Sequence, residues 1–168
     1  PLPGAPSAPA APMPAAPVPQ GKAWILMDHV SGQVLAGDNY DTALNPASIT
    51  KVMTSYVVAA EMANGKIKPT DSVRISENAW RSGGAGTDGS YSALAINSEV
   101  PLDDVLHGLV IQSGNDAAIA LAEHVAGSEA AFVDLMNQYA KTLGMNASHF
   151  ENAHGLSAPG HVMSARDI

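Results

Sequence analysis

Pro46-Ala47-Ser48-Ile49-Thr50-Lys51-Val52-Met53-Thr54-Ser55-Tyr56 is the stretch on which the fold turns. Asn45-Pro46 announces a helix: Asn45 is placed to cap it, and Pro46 suits the first helical position, where its missing N–H is not needed. Val52, Met53, Tyr56, Val57 and Ala60 recur at helical spacing, which predicts a helix with these residues on its buried face, stopped by Asn64-Gly65. Ser48 and Lys51, at i and i+3, share one face about one turn apart. A serine hydroxyl is a weak nucleophile until a base takes its proton. A lysine can serve once burial or nearby positive charge lowers its pKa. The helix N-terminus adds positive partial charge beside Ser48 and N–H groups that can stabilise an oxyanion. Taken alone, Ser-x-x-Lys is a weak pattern, since a helix-start serine followed by a surface lysine has the same form. No other serine in the chain has Lys three positions later.

Upstream, residues 23–29 and 33–36 read as two strands joined through Val30-Ser31-Gly32. Residues 1–20 hold eight of the twelve prolines and no charge, which predicts an extended arm rather than part of a core. Downstream, residues 73–75 read as a short strand. Ser76 is placed to cap a short helix carrying Trp80, and residues 81–89, rich in Gly and Ser, read as a loop beside a cleft. Pro101 starts a helix through Val105, Leu106, Leu109 and Val110 to about Gln112. After a break at Ser113-Gly114, residues 116–126 form an Ala-rich helix ended by Gly127. Ser128 caps the next, whose Phe132, Leu135, Met136, Tyr139 and Leu143 form one stripe before Gly144.

The break holds a second chemical element, Ser113-Gly114-Asn115, sixty-five residues after Ser48. A loop between two packed helices projects a hydroxyl and an amide into a cleft and holds them rigidly. Ser113 could relay a proton towards Lys51 or a leaving amine; Asn115 both donates and accepts, so it could hold Lys51 and a substrate amide. The plainer use of the same residues is that Asn115 or Asp116 caps the following helix.

Ser-x-x-Lys followed by Ser-x-Asn resembles the opening of the motif set of penicillin-binding proteins and class A β-lactamases. Trp24-Ile25-Leu26-Met27-Asp28, Pro46–Tyr56, Gln112-Ser113-Gly114-Asn115-Asp116-Ala117, His154-Gly155-Leu156 and Ser164-Ala165-Arg166-Asp167 resemble the low-molecular-mass D-alanyl-D-alanine carboxypeptidases, from about Gly21 to Ile168. The resemblance implies an α/β (α+β) fold of the β-lactamase and penicillin-binding-protein transpeptidase type, a helical cluster against an antiparallel sheet. It implies that Ser48 is the acylated nucleophile, Lys51 its general base, Ser113 a proton relay and Asn115 a substrate-binding residue. The implied substrate is a peptidoglycan stem peptide ending in D-Ala-D-Ala, with β-lactams as covalent inhibitors, no cofactor, and a periplasmic or extracytoplasmic bacterial location. The Lys-Thr/Ser-Gly motif that such proteins carry downstream does not occur in these 168 residues. Ser164-Ala165-Arg166-Asp167 has the form of a capping box at a helix start, so the expectation is an N-terminal portion of a catalytic domain, residues 21–168, with its C-terminal strands missing and incomplete for catalysis alone. Membrane anchoring of the parent chain is not visible in this stretch.

Three other readings share the scaffold: a D,D-endopeptidase, a class A β-lactamase and a catalytically silent peptidoglycan-binding module. Gly114 leans towards the carboxypeptidase, because β-lactamases more often carry Asp there. The remaining composition excludes more than it suggests. With 8 Lys and Arg against 16 Asp and Glu, the formal charge is −8 and the basic residues are scattered, which argues against a nucleic-acid partner. There is no cysteine, hence no disulfide, thiolate metal site or Cys nucleophile. His149, His154 and His161 crowd the last twenty residues in a spacing that fits no standard zinc site, so no metal is expected.

Overall fold

The structure, a computed structural model, describes residues 15–168; of the arm expected over residues 1–20, residues 1–14 lie outside them, and 15–20 are exposed and form neither helix nor strand. The chain divides into a unit ending at Tyr40 and a second, Asp41–Ile168. In the first, β1 (Trp24–Met27) and β2 (Val34–Asp38) pair antiparallel, Trp24 opposite Asp38 and Leu26 opposite Ala36, with a bulge at Leu26/Met27. The first strand ends earlier than its apolar pattern suggests because Asp28 is drawn into the turn. Its carboxylate accepts hydrogen bonds from the Ser31 N–H and hydroxyl, both at 2.7 Å, while its N–H donates to the Gln33 carbonyl.

The second unit is mainly helical. A 3-10 turn, Ala47–Ile49, leads into α1 (Thr50–Ala63), followed by β3 (Ser72–Arg74), α2 (Glu77–Gly83), β4 (Glu99–Pro101), α3 (Leu102–Gln112), α4 (Asn115–Ala126) and α5 (Glu129–Leu143). The start and stop chemistry follows local rules. Ser76 and Ser128 accept from the N–H groups of Ala79 and Ala131, and Gly127 and Gly144 end their helices in the left-handed conformation. Helix α2 continues to Gly83, so Arg81–Gly83 are helical rather than loop. Strand β4 was not legible: three residues ahead of a Pro-initiated helix carry no measurable period. They pair antiparallel with β3, Val73 opposite Val100.

Helix α4 is the centre of this unit. Every residue from Asn115 to Ala122 is buried, and α1, α2, α3 and α5 all pack against it. Its alanines allow neighbours to approach closely. Gly83 of α2 lies directly behind the Asn115–Asp116 peptide, where a Cβ would overlap backbone atoms. Phe132, Met136 and Ala140 of α5, Leu102, Val105 and Leu109 of α3, and Met53, Val57 and Val58 of α1 complete the core.

On α1 the buried face is turned from the one the apolar pattern suggests. Met53 and Val57 are buried as expected, but Val52 and Tyr56 are exposed at 61% and 44%, and the interior also takes Thr50, Lys51, Thr54 and Glu61. Those polar groups are satisfied: Thr54 donates to the Ala153 carbonyl at 2.6 Å, and Glu61 pairs with Lys66 and accepts from the Tyr139 hydroxyl. On α5, Leu143 at the end of the apolar stripe is likewise half exposed.

The C-terminal segment folds on itself through an isolated bridge pairing His149 with Val162 and returns to the chain ahead of α1 through one pairing Leu44 with Met163. Ser164 caps as its sequence suggests, its hydroxyl accepting from the Asp167 N–H. The Asp167 carboxylate completes no capping box; it accepts from the Ala147 N–H and the Ser148 hydroxyl.

Candidate active site

Ser48 stands on a turn whose shape is set from both sides. Ala47, immediately before it, has φ +47°, a left-handed conformation that costs an L-residue roughly 1–2 kcal/mol. Asn45 holds it there: its Oδ1 accepts from the Ala47 N–H at 3.0 Å, while its Nδ2 donates to the Ser157 hydroxyl at 2.6 Å. Gly155 lies against the other side. Its own φ is +95°, and a Cβ there would run into the Ala47 carbonyl oxygen. The Ser48 hydroxyl is left exposed at the mouth of a cleft.

Lys51, one turn on, is 6% exposed. Its Nζ lies 3.2 Å from Ser48 Oγ and donates to the His154 carbonyl at 2.8 Å. Loss of hydration pushes the Lys51 pKa down to about 8, so about a tenth of it is neutral at pH 7, far more than for an exposed lysine. The spacing-based expectation of a serine and a base on one face is met in distance. Among the described residues the second partner of the lysine is a backbone carbonyl, whereas the Asn115 amide faces the cleft beside Gly89.

That carbonyl belongs to a heavily tied loop. Asn152 accepts from the N–H groups of His154 and Gly155 and donates to the Leu156 carbonyl, and Asn137 bonds both the N–H and the carbonyl of Phe150. His154 is itself buried. Its Nδ1 accepts from the Leu156 N–H at 3.1 Å, which puts the proton of the neutral ring on Nε2, 3.5 Å from Glu129 Oε1. Burial, then the nearby Lys51 charge, push the His154 pKa down to about 4.

The second wall is the break between α3 and α4. Ser113 ends α3 in the left-handed conformation, φ +55° and ψ +37°, and with Ser48 and Lys51 lines a smaller cavity of about 180 Å³. Asn115 lines the larger one, about 560 Å³, together with Ser48, Asp88, Ser90, His154 and Ser157. Asp116 anchors this wall to the 84–95 loop: Oδ1 accepts from the N–H groups of Ser92 and Ala117, and Oδ2 from that of Leu94. The structure thus brings Ser48, Lys51, Ser113 and Asn115 around adjoining cavities. Sequence reading missed the parts played by Asp116, Glu129 and the His154 carbonyl. Asp116 and Glu129 each look like an ordinary acidic residue in a first helical turn, and no local pattern reports which backbone carbonyl will reach a lysine.

The three histidines do not converge. His161 bonds Thr50 Oγ1 at 2.7 Å and accepts from the Glu151 N–H, and His149 is an exposed partner of Glu151. Among the described residues no three His, Cys, Asp or Glu side chains are grouped to hold a metal ion.

The profile of the D-alanyl-D-alanine carboxypeptidase family, peptidase family S11, matches residues 10–168. The chain belongs to that family. Within the family, D-alanyl-D-alanine carboxypeptidase DacC of Escherichia coli (strain K12) is 49% identical over 154 residues, covering 91% of this chain and 38% of the relative. DacA of the same organism is 45% identical over 157 residues, 93% of this chain and 39% of the relative. The crystal structure of penicillin binding protein 5 from Haemophilus influenzae superposes with a TM-score of 0.87 at 41% identity, over 92% of this chain and 44% of that one. The α+β fold expected from the resemblance is therefore the family's fold, and the chain spans less than half the length of these family members. Among the described residues no helix is long and apolar enough to cross a membrane.

Proposed function

We propose that the protein is a serine-type D-Ala-D-Ala carboxypeptidase of peptidoglycan stem peptides, and that residues 21–168 are part of its catalytic domain. The observation that carries this reading is the buried Lys51 ammonium 3.2 Å from an exposed Ser48 hydroxyl, held there by a backbone carbonyl. In the proposed cycle, neutral Lys51 takes the Ser48 proton as Oγ attacks the carbonyl carbon of the penultimate D-alanine. The positive partial charge at the start of α1 favours the developing oxyanion. The C–N bond breaks as the leaving D-alanine amine receives a proton, relayed through Ser113. Water then adds to the Ser48 ester, releasing the shortened peptide and restoring the hydroxyl. Asn115 aligns the substrate amide. A penicillin is opened by the same attack, its acyl group staying on Ser48. Peptidoglycan lies outside the bacterial cytoplasmic membrane, which supports a periplasmic or extracytoplasmic location.

The test is labelling of the full-length gene product with a fluorescent penicillin, alongside release of D-alanine from a D-Ala-D-Ala peptide. Both are expected from the native sequence, and both are expected to vanish in Ser48→Ala. Labelling that survives this substitution would remove Ser48 from the nucleophile's role. Rapid turnover of penicillin without D-alanine release would move the reading to a β-lactamase.

A further inference from the structure

Lys51 is held by a carbonyl, and that carbonyl needs holding in turn. The His154 carbonyl sits on a loop, 144–163, that has no regular helix or strand, yet it meets Lys51 Nζ at 2.8 Å. Asn152 and Asn137 make several of the loop's ties, and from α1 the Thr54 hydroxyl donates to the Ala153 carbonyl at 2.6 Å. One tie to residues 153–154 comes from α5. Glu129 Oε1 accepts from the Ala153 N–H at 3.1 Å and lies 3.5 Å from His154 Nε2, the nitrogen that carries the proton. A single carboxylate oxygen therefore touches the Asn152–Ala153 peptide and faces the side chain of the residue that owns the carbonyl.

We infer that Glu129 is a positioning residue for the Ser48–Lys51 pair: by accepting from Ala153 N–H and facing His154 Nε2, it fixes the His154 carbonyl against Lys51. This rests on the function proposed above, since it matters only if Lys51 acts as a base. Glu129 is the first residue of α5, placed by the Ser128 cap, so the strut runs from a helix packed on the core to the loop over α1. Its surroundings are otherwise poor in charge. Glu129 faces His154 from the loop and Glu123 from α4, and burial pushes its pKa up; Lys51 faces Ser48 and the 154 position. An acidic residue in a first helical turn normally interacts with its own helix end. Here it serves another segment.

The role separates from plain structural support through the pH dependence of acylation. Acylation of the native protein is expected to rise with pH about a midpoint near 8, the value set by desolvation of Lys51. Removing the strut loosens the wall and admits water to the ammonium, which moves the midpoint to higher pH. Glu129→Gln keeps an acceptor oxygen and is expected to behave nearly as the native protein. Glu129→Ala removes it and is expected to lower the acylation rate constant roughly tenfold at pH 7, with a raised midpoint.

Rates of penicillin acylation are measured from pH 6 to 10 on the full-length gene product and expressed per titratable site, so that unfolded molecules drop out. His154→Phe, which keeps ring volume and the carbonyl but removes Nε2–H together with the Nδ1 acceptor of the Leu156 N–H, is the second arm if Glu129→Ala does not fold. Its midpoint is expected to rise less than that of Glu129→Ala. An unchanged midpoint in Glu129→Ala, or in His154→Phe where only that variant folds, overturns the inference, as does an equal loss in Glu129→Gln. None of those outcomes touches the parent reading, which fails separately if the native protein is not acylated or if Ser48→Ala still is.

Discussion

At the scale of single residues, the geometry of Ser48 depends on a contact between two positions 108 apart in sequence, Ala47 and Gly155. Ala47 is in the left-handed region and Gly155 is too, and the Ala47 carbonyl occupies the space a Gly155 side chain would need. Gly155→Ala is expected to cost about 2–4 kcal/mol, from an unfavourable φ together with overpacking against backbone. A urea titration checks the stability. The folded remainder is expected to acylate more slowly, because relief of the clash requires the turn before Ser48 to move. A stability within about 0.5 kcal/mol of the native protein would mean that this contact does not set the turn. Ser48, Lys51, Ser113 and Asn115 were legible in advance as candidates because Ser-x-x-Lys and Ser-x-Asn are local patterns. The left-handed Ala47 was not, since alanine gives no sign of such a conformation and its cause lies in Asn45 and Gly155.

At the scale of elements, helix starts and stops were readable at Ser76, Ser128, Gly127 and Gly144, but not at Asn45-Pro46, where a 3-10 turn comes first and α1 begins at Thr50 without a side-chain cap. The buried face of α1 was misjudged at Val52 and Tyr56. Apolar spacing does not show that Thr50, Thr54 and Glu61 will find partners on the 149–163 segment and α5. The tie between α4 and the 84–95 loop was equally out of reach, since it runs from one carboxylate to two N–H groups more than twenty residues away. Asp116→Ala leaves three buried or half-buried N–H groups without their acceptor and is expected to cost about 3 kcal/mol. Asp116→Asn keeps an acceptor oxygen and is expected to cost less. Hydrogen exchange at the Ser92 and Leu94 amides reads the tie directly. Exchange as slow in Asp116→Ala as in the native protein would show that the loop is held by something else.

At the scale of the whole molecule, two buried histidines make the fold sensitive to acid. His154, with its pKa pushed down to about 4, is neutral when folded, while the unfolded chain binds a proton below about 6.5. Stability is therefore lost as pH falls from 6.5 towards 4, by at most about 3 kcal/mol for this residue. Burial pushes the His161 pKa in the same direction. Glu129, whose pKa burial raises, works in the opposite sense. Unfolding free energies measured between pH 7 and 4 are expected to fall in the native protein and to fall less in His154→Gln. Equal slopes would remove His154 as the source.

Gly83 has a consequence for how the cleft could change. The second wall, with Ser113 and Asn115, begins a helix that is buried on every side, and Gly83 backs it where no further atom fits. The separation of the walls is thus governed by the smallest residues in the molecule. Inheritance of altered cleft widths would have to pass through added methyl groups behind the site, and a chain that kept every chemically active side chain could still lose its alignment there.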